Sequence, residues 1–378
     1  MTSDESVIEQ WLHSCVRCSN CKYVFREYSP SCPSGEHFGF ETYYASGRIW
    51  LAQALYKGEL EWEVSLLDPI FACTTCGNCE SQCLAPHSEH IVDMIEELRA
   101  RAVQEIGGLP SHIRFRENVV QYHNPYGAEH HNRNLVETYG LPLQAETVYF
   151  VGCTSNYRET QIRDATISVL KKAGVDFTVV DEYCCCSPLI RTGQLDPVNE
   201  AAQHNADAIR AAGAKRIITS CSGCYRTLSR DYPKLGVDLG VEVVHITQLL
   251  KELIDKGAIV PKQTEHRKII TWHDPCHLGR AMGIYDAPRD VISKLPVDLV
   301  EMETTRENAW CCGGGGGAKA AYNDWSVETA RTRIEQALRT GAELIVSACP
   351  FCTRNLRDGS SEDGPPVIDL TELVDRFI

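Results

Sequence analysis

No run of apolar residues in this chain is long enough to cross a bilayer. Its first residues, MTSDESVIEQW, are acidic and carry neither the basic n-region nor the apolar h-region of an export signal. No basic run interrupts a formal net charge of −14, which excludes the phosphate-gripping face of a nucleic-acid binder. That acidity is read as solubility. No glycine-rich fingerprint for a flavin or nicotinamide is visible. The five-glycine run Gly313–Gly317 is followed by Ala318-Lys319-Ala320, not by the Gly-Lys-Ser/Thr end of a phosphate loop. These absences predict a cytoplasmic protein with no direct membrane span, no nucleic-acid partner and no two-electron cofactor of its own.

What the chain has in quantity is cysteine. It holds 19 in 378 residues. With 43% apolar residues there is material for two or three cored domains, so these are not the staples of a small secreted fold. Cys15, Cys18 and Cys21 form a C-x2-C-x2-C run with Cys32-Pro33 downstream, and Cys73, Cys76, Cys79 and Cys83 form a second run. A longer pattern then occurs twice: a lone cysteine, a Cys-Cys pair about thirty residues on, and a C-x-x-C about thirty-five beyond. The first copy is Cys153, Cys184-Cys185 and Cys221/Cys224, and the second is Cys276, Cys311-Cys312 and Cys349/Cys352. Only Cys186 falls outside the four sets.

The two runs have the spacing of cubane ligands. C-x2-C-x2-C wraps three corners of a [4Fe–4S] cluster, and a distant Cys closes the fourth. As in two-cluster ferredoxins, where the fourth cysteine serves the other cluster, Cys15, Cys18, Cys21 and Cys83 are expected to hold one cubane. Cys73, Cys76, Cys79 and Cys32 are expected to hold the other. Paired zinc sites are the rival, but zinc favours two C-x-x-C pairs over three cysteines in one wrap. In the repeated pattern, five thiols exceed what a cubane or a tetrahedral zinc requires, which points to two clusters of unusual shape. Each C-x-x-C opens a helix, whose amide N–H groups face an anionic cluster. Redox-active dithiols are the competing reading of these pairs.

The rest of the chain fits around these sets. Between the runs, Phe38 to Ala72 reads helical. Tyr43–Lys57 has apolar residues at helical spacing and Gly58 as its C-terminal glycine. Ser88–Gly107 reads as a helix with Ser88 as N-cap and Ile91, Ile95, Leu98 and Ala102 on its apolar face. Residues 110–145 read as short helices and loops. From Glu146 the pattern alternates. Strands are predicted at Thr147–Val151, Phe177–Val180, Arg216–Thr219, Val241–Val244, Ile269–Trp272, Val297–Glu301, Leu344–Ser347 and Val367–Ile368. Helices at Arg158–Ala173, Asn199–Ala212 and Ala318–Arg339 separate some of them, as in a parallel sheet. The second half is an internal repeat. Cys153 maps to Cys276 at an offset of 123, the Cys-Cys pairs map at 127 and the C-x-x-C pairs at 128.

The phrases Cys184-Cys185-Cys186-Ser187-Pro188-Leu189, Asp274-Pro275-Cys276-His277-Leu278-Gly279-Arg280, Cys311-Cys312-Gly313 and Cys349-Pro350-Phe351-Cys352 resemble the cysteine-rich CCG domain. That domain occurs twice in the catalytic subunit of heterodisulfide reductase and its relatives. A double-cluster ferredoxin module fused to two such domains is similar to the D-type subunit. The resemblance implies a multi-domain fold. An α-helical ferredoxin-like module is expected over 1–109 and a connecting segment over 110–145. Two homologous α/β CCG lobes are expected over 146–260 and 261–378. It also implies two non-cubane [4Fe–4S] clusters on the repeated cysteines and a small thiol or disulfide substrate cleaved between them. With no flavin or nicotinamide fingerprint in the chain, the two-electron donor is expected on another chain, a flavin-containing subunit of a larger complex. A second function that the resemblance implies is an electron-transfer subunit serving 2-hydroxyacid or glycerol-phosphate oxidation, or a class II benzoyl-CoA reductase type of complex, with electrons passing to a quinone or another subunit.

All ten repeated cysteines are thus expected at the catalytic centre, with His277 as a candidate proton relay. His273 and His277 flank Cys276 and either move protons or hold backbone. Arg191, Arg226, Arg280 and Arg354 either bind an anionic substrate group or compensate cluster charge. Cys186 stands where the family has glycine, and is either a further metal ligand or a buried filler. Metal analysis is expected to find iron and acid-labile sulfide; stoichiometric zinc without iron would replace the whole reading with a zinc scaffold.

Overall fold

A computed structural model describes residues 6–24, 28–132 and 134–378. The N-terminal part is helical, with no strand among its described residues beyond the isolated bridge of Tyr23 to Pro30. Pro33 opens the helix Pro33–Phe38 from Cys32, whose thiol accepts from Gly35 N at 3.5 Å. The helix Ala45–Tyr56 closes through Gly58 at φ +68°. Ile91–Ile106 starts later than its sequence pattern predicts: Ser88–His90 is a separate 3-10 turn and His90 is the capping position, so Ser88 is not the N-cap. Its apolar face is the expected one. Ile91, Ile95, Leu98 and Ala102 are buried against Ile8, Leu12, Ile49 and Phe71. The segment after it is more regular than predicted, with a 13-residue helix, Pro110–Tyr122, ended by His123 at φ +60°.

Two four-stranded parallel sheets follow. The first has β1 (Thr147–Phe150), β2 (Phe177–Thr178), β3 (Arg216–Thr219) and β4 (Glu242–His245) in the order β2-β1-β3-β4. The second has β5 (Lys268–Trp272), β6 (Val297–Leu299), β7 (Leu344–Ser347) and β8 (Val367–Asp369) in the equivalent order β6-β5-β7-β8. β2 and β6 are shorter than their apolar runs suggest, since only their first residues find partners on β1 and β5. The predicted helix Ala318–Arg339 is two helices, Ala318–Ala321 and Asn323–Arg339, broken at Tyr322 with ψ 56°.

The order matters for function. From the central strand the chain turns first to one side and then crosses to the other, so the switch point lies between β1 and β3, and again between β5 and β7. Crevices open at the carboxyl ends of strands at such points. Cys153 follows β1, Cys221 follows β3, Cys276 follows β5 and Cys349 follows β7. Both final helices, Ile246–Asp255 and Leu370–Asp375, start in a capping box, from His245 with Gln248 and from Asp369 with Glu372.

The lobes pack as a pseudo-twofold pair. Thr160–Lys172 of the first lies on Leu370–Asp375 of the second, and Ile246–Asp255 of the first on Asp286–Lys294 of the second. An early helix of each copy thus meets the late helix of the other, the reciprocal pattern of an isologous interface. One apolar core runs through both sheets, from Tyr149, Ile218 and Val244 to Trp272, Val346 and Ile368.

The helical module joins this pair through Arg99, which is fully buried. Its Nε donates to Ile70 O at 3.2 Å, and its Nη2 to Phe71 O at 2.9 Å and Cys73 O at 2.7 Å. Its Nη1 donates to Arg191 O of the first lobe at 2.7 Å and Gly316 O of the second at 2.9 Å. Burial pulls its pKa down to about 10, against the Cys73 charge, which leaves it a cation at neutral pH. Methionine fills the space but leaves five carbonyls without donors. Arg99→Met is therefore expected to cost about 3–5 kcal/mol of unfolding free energy in denaturant titrations, whereas a loss within about 1 kcal/mol would show that the carbonyls find other donors.

Candidate iron–sulfur and substrate site

Cys15, Cys18, Cys21 and Cys83 line one small cavity, with His87 and Ser46 beside them. Cys32, Cys73, Cys76 and Cys79 line a second, above Arg48. These are the two groupings anticipated from spacing. The two wraps share a backbone device: the residues on either side of the middle cysteine are left-handed, Arg17 (φ 56°) and Ser19 (φ 67°) in one, Thr75 (φ 49°) and Gly77 (φ 73°) in the other. Three of these four are not glycine. Such strain persists where surrounding structure or a bound group demands it. Amide groups already point at sulfur: Thr75 N to Cys73 Sγ at 3.4 Å and Ala85 N to Cys83 Sγ at 3.4 Å. Burial pushes the Cys32 thiol up to about 12, against the pull of Arg48, so ionising it calls for a positive centre, which iron supplies. Four convergent thiols with amide donors fit an iron–sulfur cluster in each place.

A third cavity, of about 270 Å³, lies between the lobes. Cys153, Cys184, Cys185, Cys221 and Cys224 line it from the first copy, and Cys276, Cys312, Cys349 and Cys352 from the second. Cys221 and Cys349, equivalent in the repeat, lie within hydrogen-bonding reach of each other and so mark the pseudo-axis. Beside them Ser222 Oγ donates to Ala348 O across the lobes at 2.9 Å. Of the ten repeated cysteines only Cys311 does not line this cavity. Its thiol is within reach of Cys276 and Cys312 on one side and of Cys76, from the helical module, on the other.

Amide donors recur here, from Gly313 N to Cys311 Sγ at 3.4 Å and Cys186 N to Cys184 Sγ at 3.4 Å. Glu182 shapes the turn that carries Cys153, accepting from Val151 N at 2.8 Å and Gly152 N at 2.6 Å; burial pushes it up to about 8. Asp274, two residues before Cys276, ties its loop to Arg289 and to the Thr305–Arg306 segment. Burial opposes its ionisation, but Arg289, Arg306 N and the Trp272 indole outweigh it and bring Asp274 down to about 2. The glycine run packs backbone against backbone. A Cβ on Gly316 (φ +61°) would stand 2.5 Å from Cys73 O.

The four arginines divide. Arg191 is paired with Glu96 at 2.7 Å and with Asp231, and Arg226 with Glu96 at 3.2 Å. Arg280 donates to the carbonyls of Cys76, Glu307 and Ala309. Its Nη2 is buried without a partner among the described residues and feels the charge of Cys76, Cys276 and Cys311. An orphaned cationic N–H beside three thiols fits an anionic cluster there. Arg354 lines the cavity and makes no ion pair or hydrogen bond among the described residues.

His273 receives Arg333 Nε on its Nδ1 at 3.2 Å and presents Nε2 to Cys312 and Cys352. His277 lines the cavity with its Nε2 3.3 Å from Arg226 Nη1. Burial and the charges of Arg226 and Arg191 hold His277 well below the usual imidazole range. Cys186 sits apart. At φ +67° it takes the left-handed place of Gly313, and its thiol donates to Cys184 O at 3.3 Å. It packs with Val119, Leu189 and Val198 as well as with Cys184 and Cys153, and it does not line the cavity.

Sequence reasoning passed over the cavity's other wall. Phe115, Pro125 and Tyr126, from the segment read only as a connection, line it together with Thr154, Lys319 and Phe351. Asn124 builds the turn that presents Tyr126, accepting from Tyr126 N at 3.1 Å and Ala128 N at 3.2 Å. Tyr126 Oη and Thr154 Oγ1 are 2.9 Å apart. Asn124-Pro125 and Gly127 were the turn signals available in sequence.

Comparisons with known proteins agree with this architecture. A 4Fe-4S dicluster domain family matches residues 11–85, and the cysteine-rich CCG domain family matches residues 147–229 and 270–357. The chain is 37% identical to the D-type subunit of dihydromethanophenazine:CoB–CoM heterodisulfide reductase from Methanosarcina barkeri, over 96% of this chain and 93% of that one. It is 33% identical to the B-type subunit of fumarate reductase (CoM/CoB) from Methanothermobacter marburgensis, over 81% of this chain and 61% of that one. Among solved structures, a hypothetical protein from Helicobacter pylori aligns over 97% of this chain and 70% of its own with a TM-score of 0.59 at 10% identity, a likeness of fold alone.

Iron counting separates ligand from filler. Cys186→Ala is expected to keep the wild-type iron and sulfide content after anaerobic reconstitution, while Cys185→Ala loses about one cluster's worth. Equal losses in both would put Cys186 among the ligands.

Proposed function

The chain belongs to the family of D-type heterodisulfide reductase subunits, which are iron–sulfur oxidoreductases, and from that premise we propose that it reduces a small disulfide, or forms one, in the cavity between its two lobes. The observation that carries this reading is the convergence of thiols from both repeats on one cavity across the Cys221–Cys349 contact. The apolar wall of Phe115, Pro125, Tyr126 and Phe351 faces the same space as these thiols and suits a small organic molecule beside them. In the reductive direction the S–S bond accepts two electrons and two protons and gives two thiols; the oxidative direction returns them.

Cys15, Cys18, Cys21 and Cys83 would hold one cubane, and Cys32, Cys73, Cys76 and Cys79 the other. Cys153, Cys184, Cys185, Cys221 and Cys224 would hold one non-cubane cluster, and Cys276, Cys311, Cys312, Cys349 and Cys352 a second. When bound, such clusters supply single electrons and iron sites for product sulfur. Cys311, within reach of Cys76, is the passage from the module to the second lobe. The donor is a flavin-containing partner protein in the cytoplasm, since the chain carries no flavin fingerprint of its own. No helix among the described residues is long and apolar enough to cross a membrane.

The chain's own residues set the environment. Arg226 donates to His277 Nε2, so the neutral ring carries its proton on Nδ1, toward the backbone of Thr75. His277 in that state walls the cavity with its Nε2 engaged by Arg226 and its one proton turned to the Thr75 backbone, so we assign it a positioning role in place of the relay anticipated from its place beside Cys276. Glu96 holds Arg191 and Arg226 in place.

Low-temperature EPR of the oxidised, iron-replete protein tests the reading. A paramagnetic signal is expected that appears only with added thiol and disappears in Cys312→Ser. Reduced-cluster signals alone, indifferent to a series of thiols, would overturn disulfide chemistry and leave an electron-transfer role.

A further inference from the structure

The repeat sets two unlike residues against equivalent thiols. Phe150 ends β1 and His273 follows β5, at the offset of 123 that also relates Cys153 to Cys276. Both are buried. Phe150 shares a core with Cys185 and Cys224. His273 brings a ring nitrogen to Cys312 and Cys352, the repeat partners of those two cysteines, and the nitrogen and both sulfurs lie within 4.8 Å of one another. The first lobe thus places a hydrocarbon ring where the second places an imidazole.

Arg333 decides where that imidazole carries its hydrogen. Its guanidinium is fully buried on the helix Asn323–Arg339, and its Nε donates to His273 Nδ1 at 3.2 Å. Its Nη1 donates to Thr304 O at 2.9 Å and to Gln336 Oε1 at 2.6 Å, which fixes the fork. Burial pulls Arg333 down to about 10, which leaves it a cation at neutral pH. A guanidinium has donors only, so Nδ1 accepts and the neutral ring holds its hydrogen on Nε2. Nε2 is buried with no nitrogen or oxygen partner among the described residues, and its neighbours are the sulfurs of Cys312 and Cys352. The first lobe has no equivalent of this chain of donors. At the offset of 128 Arg333 falls on Asn205, which is bonded to the Tyr183 backbone and the Tyr232 hydroxyl.

We infer that His273 is a positioning residue for the second lobe's cluster: its Nε2–H, held by Arg333, donates to the Cys312 thiolate and makes that cluster the more easily reduced of the two. This rests on the assignment of a cluster to the second set of cysteines and not on disulfide chemistry. A nitrogen that keeps its hydrogen does not ligate iron, so the five thiols remain the ligand set. An N–H donor to sulfur favours the added electron, because reduction raises the negative charge on the thiolates. The lobe so favoured is the one whose Cys311 meets Cys76 of the helical module.

Two measurements on iron-replete holoprotein test this. With histidine labelled in heavy nitrogen, pulsed EPR of the partly reduced wild type is expected to show a weakly coupled nitrogen that disappears in His273→Phe. In a redox titration followed by EPR, His273→Phe, which gives the second lobe the residue of the first, keeps its iron. One couple becomes about tenfold less reduced at a fixed potential, equivalent to about 59 mV for one electron. Strong coupling, as of nitrogen bonded to iron, with iron lost in His273→Phe, overturns the donor role and makes His273 a ligand. Absence of any histidine coupling in the wild type, or couples no harder to reduce in His273→Phe, overturns the inference and leaves the cluster assignment standing. Full iron content in Cys312→Ala overturns the cluster on that set, and the inference with it.

Discussion

The guanidinium of Arg99 is where the three parts of the chain are pinned. Its five acceptors are not arbitrary carbonyls. Cys73 is the first thiol of the second run, Arg191 lies just past Cys184–Cys186, and Gly316 lies just past Cys311-Cys312. One buried cation thus ties the loop of each neighbouring sulfur set to a common point. Loops are ordinarily the mobile parts of a fold. Here their relative positions are fixed by a rigid fork whose donors are satisfied only in one arrangement. The glycines follow from the same constraint. Backbone of the second lobe must come within van der Waals distance of Cys73 and Thr74, and a Cβ on Gly315 or Gly316 would hold the two apart.

The lobes are alike in topology and unlike in dress. Both put thiols at a switch point, and both bring an early and a late helix to the partner. Yet the helical module sits on one side of the pseudo-axis only, and the repeat has diverged to suit. Facing the module, Arg191 and Arg226 meet Glu96, and Arg230 and Lys234 meet Asp93. Away from it, Arg354 makes no ion pair among the described residues. Cys186 and Gly313 show the same divergence at one backbone position: both take left-handed φ, and only in the first copy does a side chain fill the gap beneath Val119 and Leu189. Duplication followed by capping of one face leaves the pair of lobes with two unequal faces.

Much of this was legible in the cysteines because metal chemistry fixes their spacing tightly. Three thiols in one wrap require x2 intervals, and no packing requirement produces the same pattern. The strands were legible because parallel strands buried on both faces read as short apolar runs. The arginines were not. Arg226 and Arg354 occupy the same place after a C-x-x-C, and what separates them is Glu96, 130 residues away from one and absent from the other. The wall formed by Phe115 and Tyr126 was hidden for a similar reason: a side chain that lines a cavity from a connecting segment follows no periodicity. Tyr322 breaks a helix whose sequence reads continuously because its ring must pack among Phe38 and Trp325 while its hydroxyl reaches Asp68.

The contact of Cys76 with Cys311 bears on the order of events in the proposed reaction. Disulfide reduction takes two electrons, and the module's sulfur sets lead into one lobe by this contact and not symmetrically into both. In that reaction electrons from the module would reach the thiols of the second lobe before those of the first, which meets the second at the Cys221–Cys349 contact. Arg280 stands at the point of transfer, bonded to Cys76 O and facing Cys76, Cys276 and Cys311, so its positive charge favours the electron's arrival there.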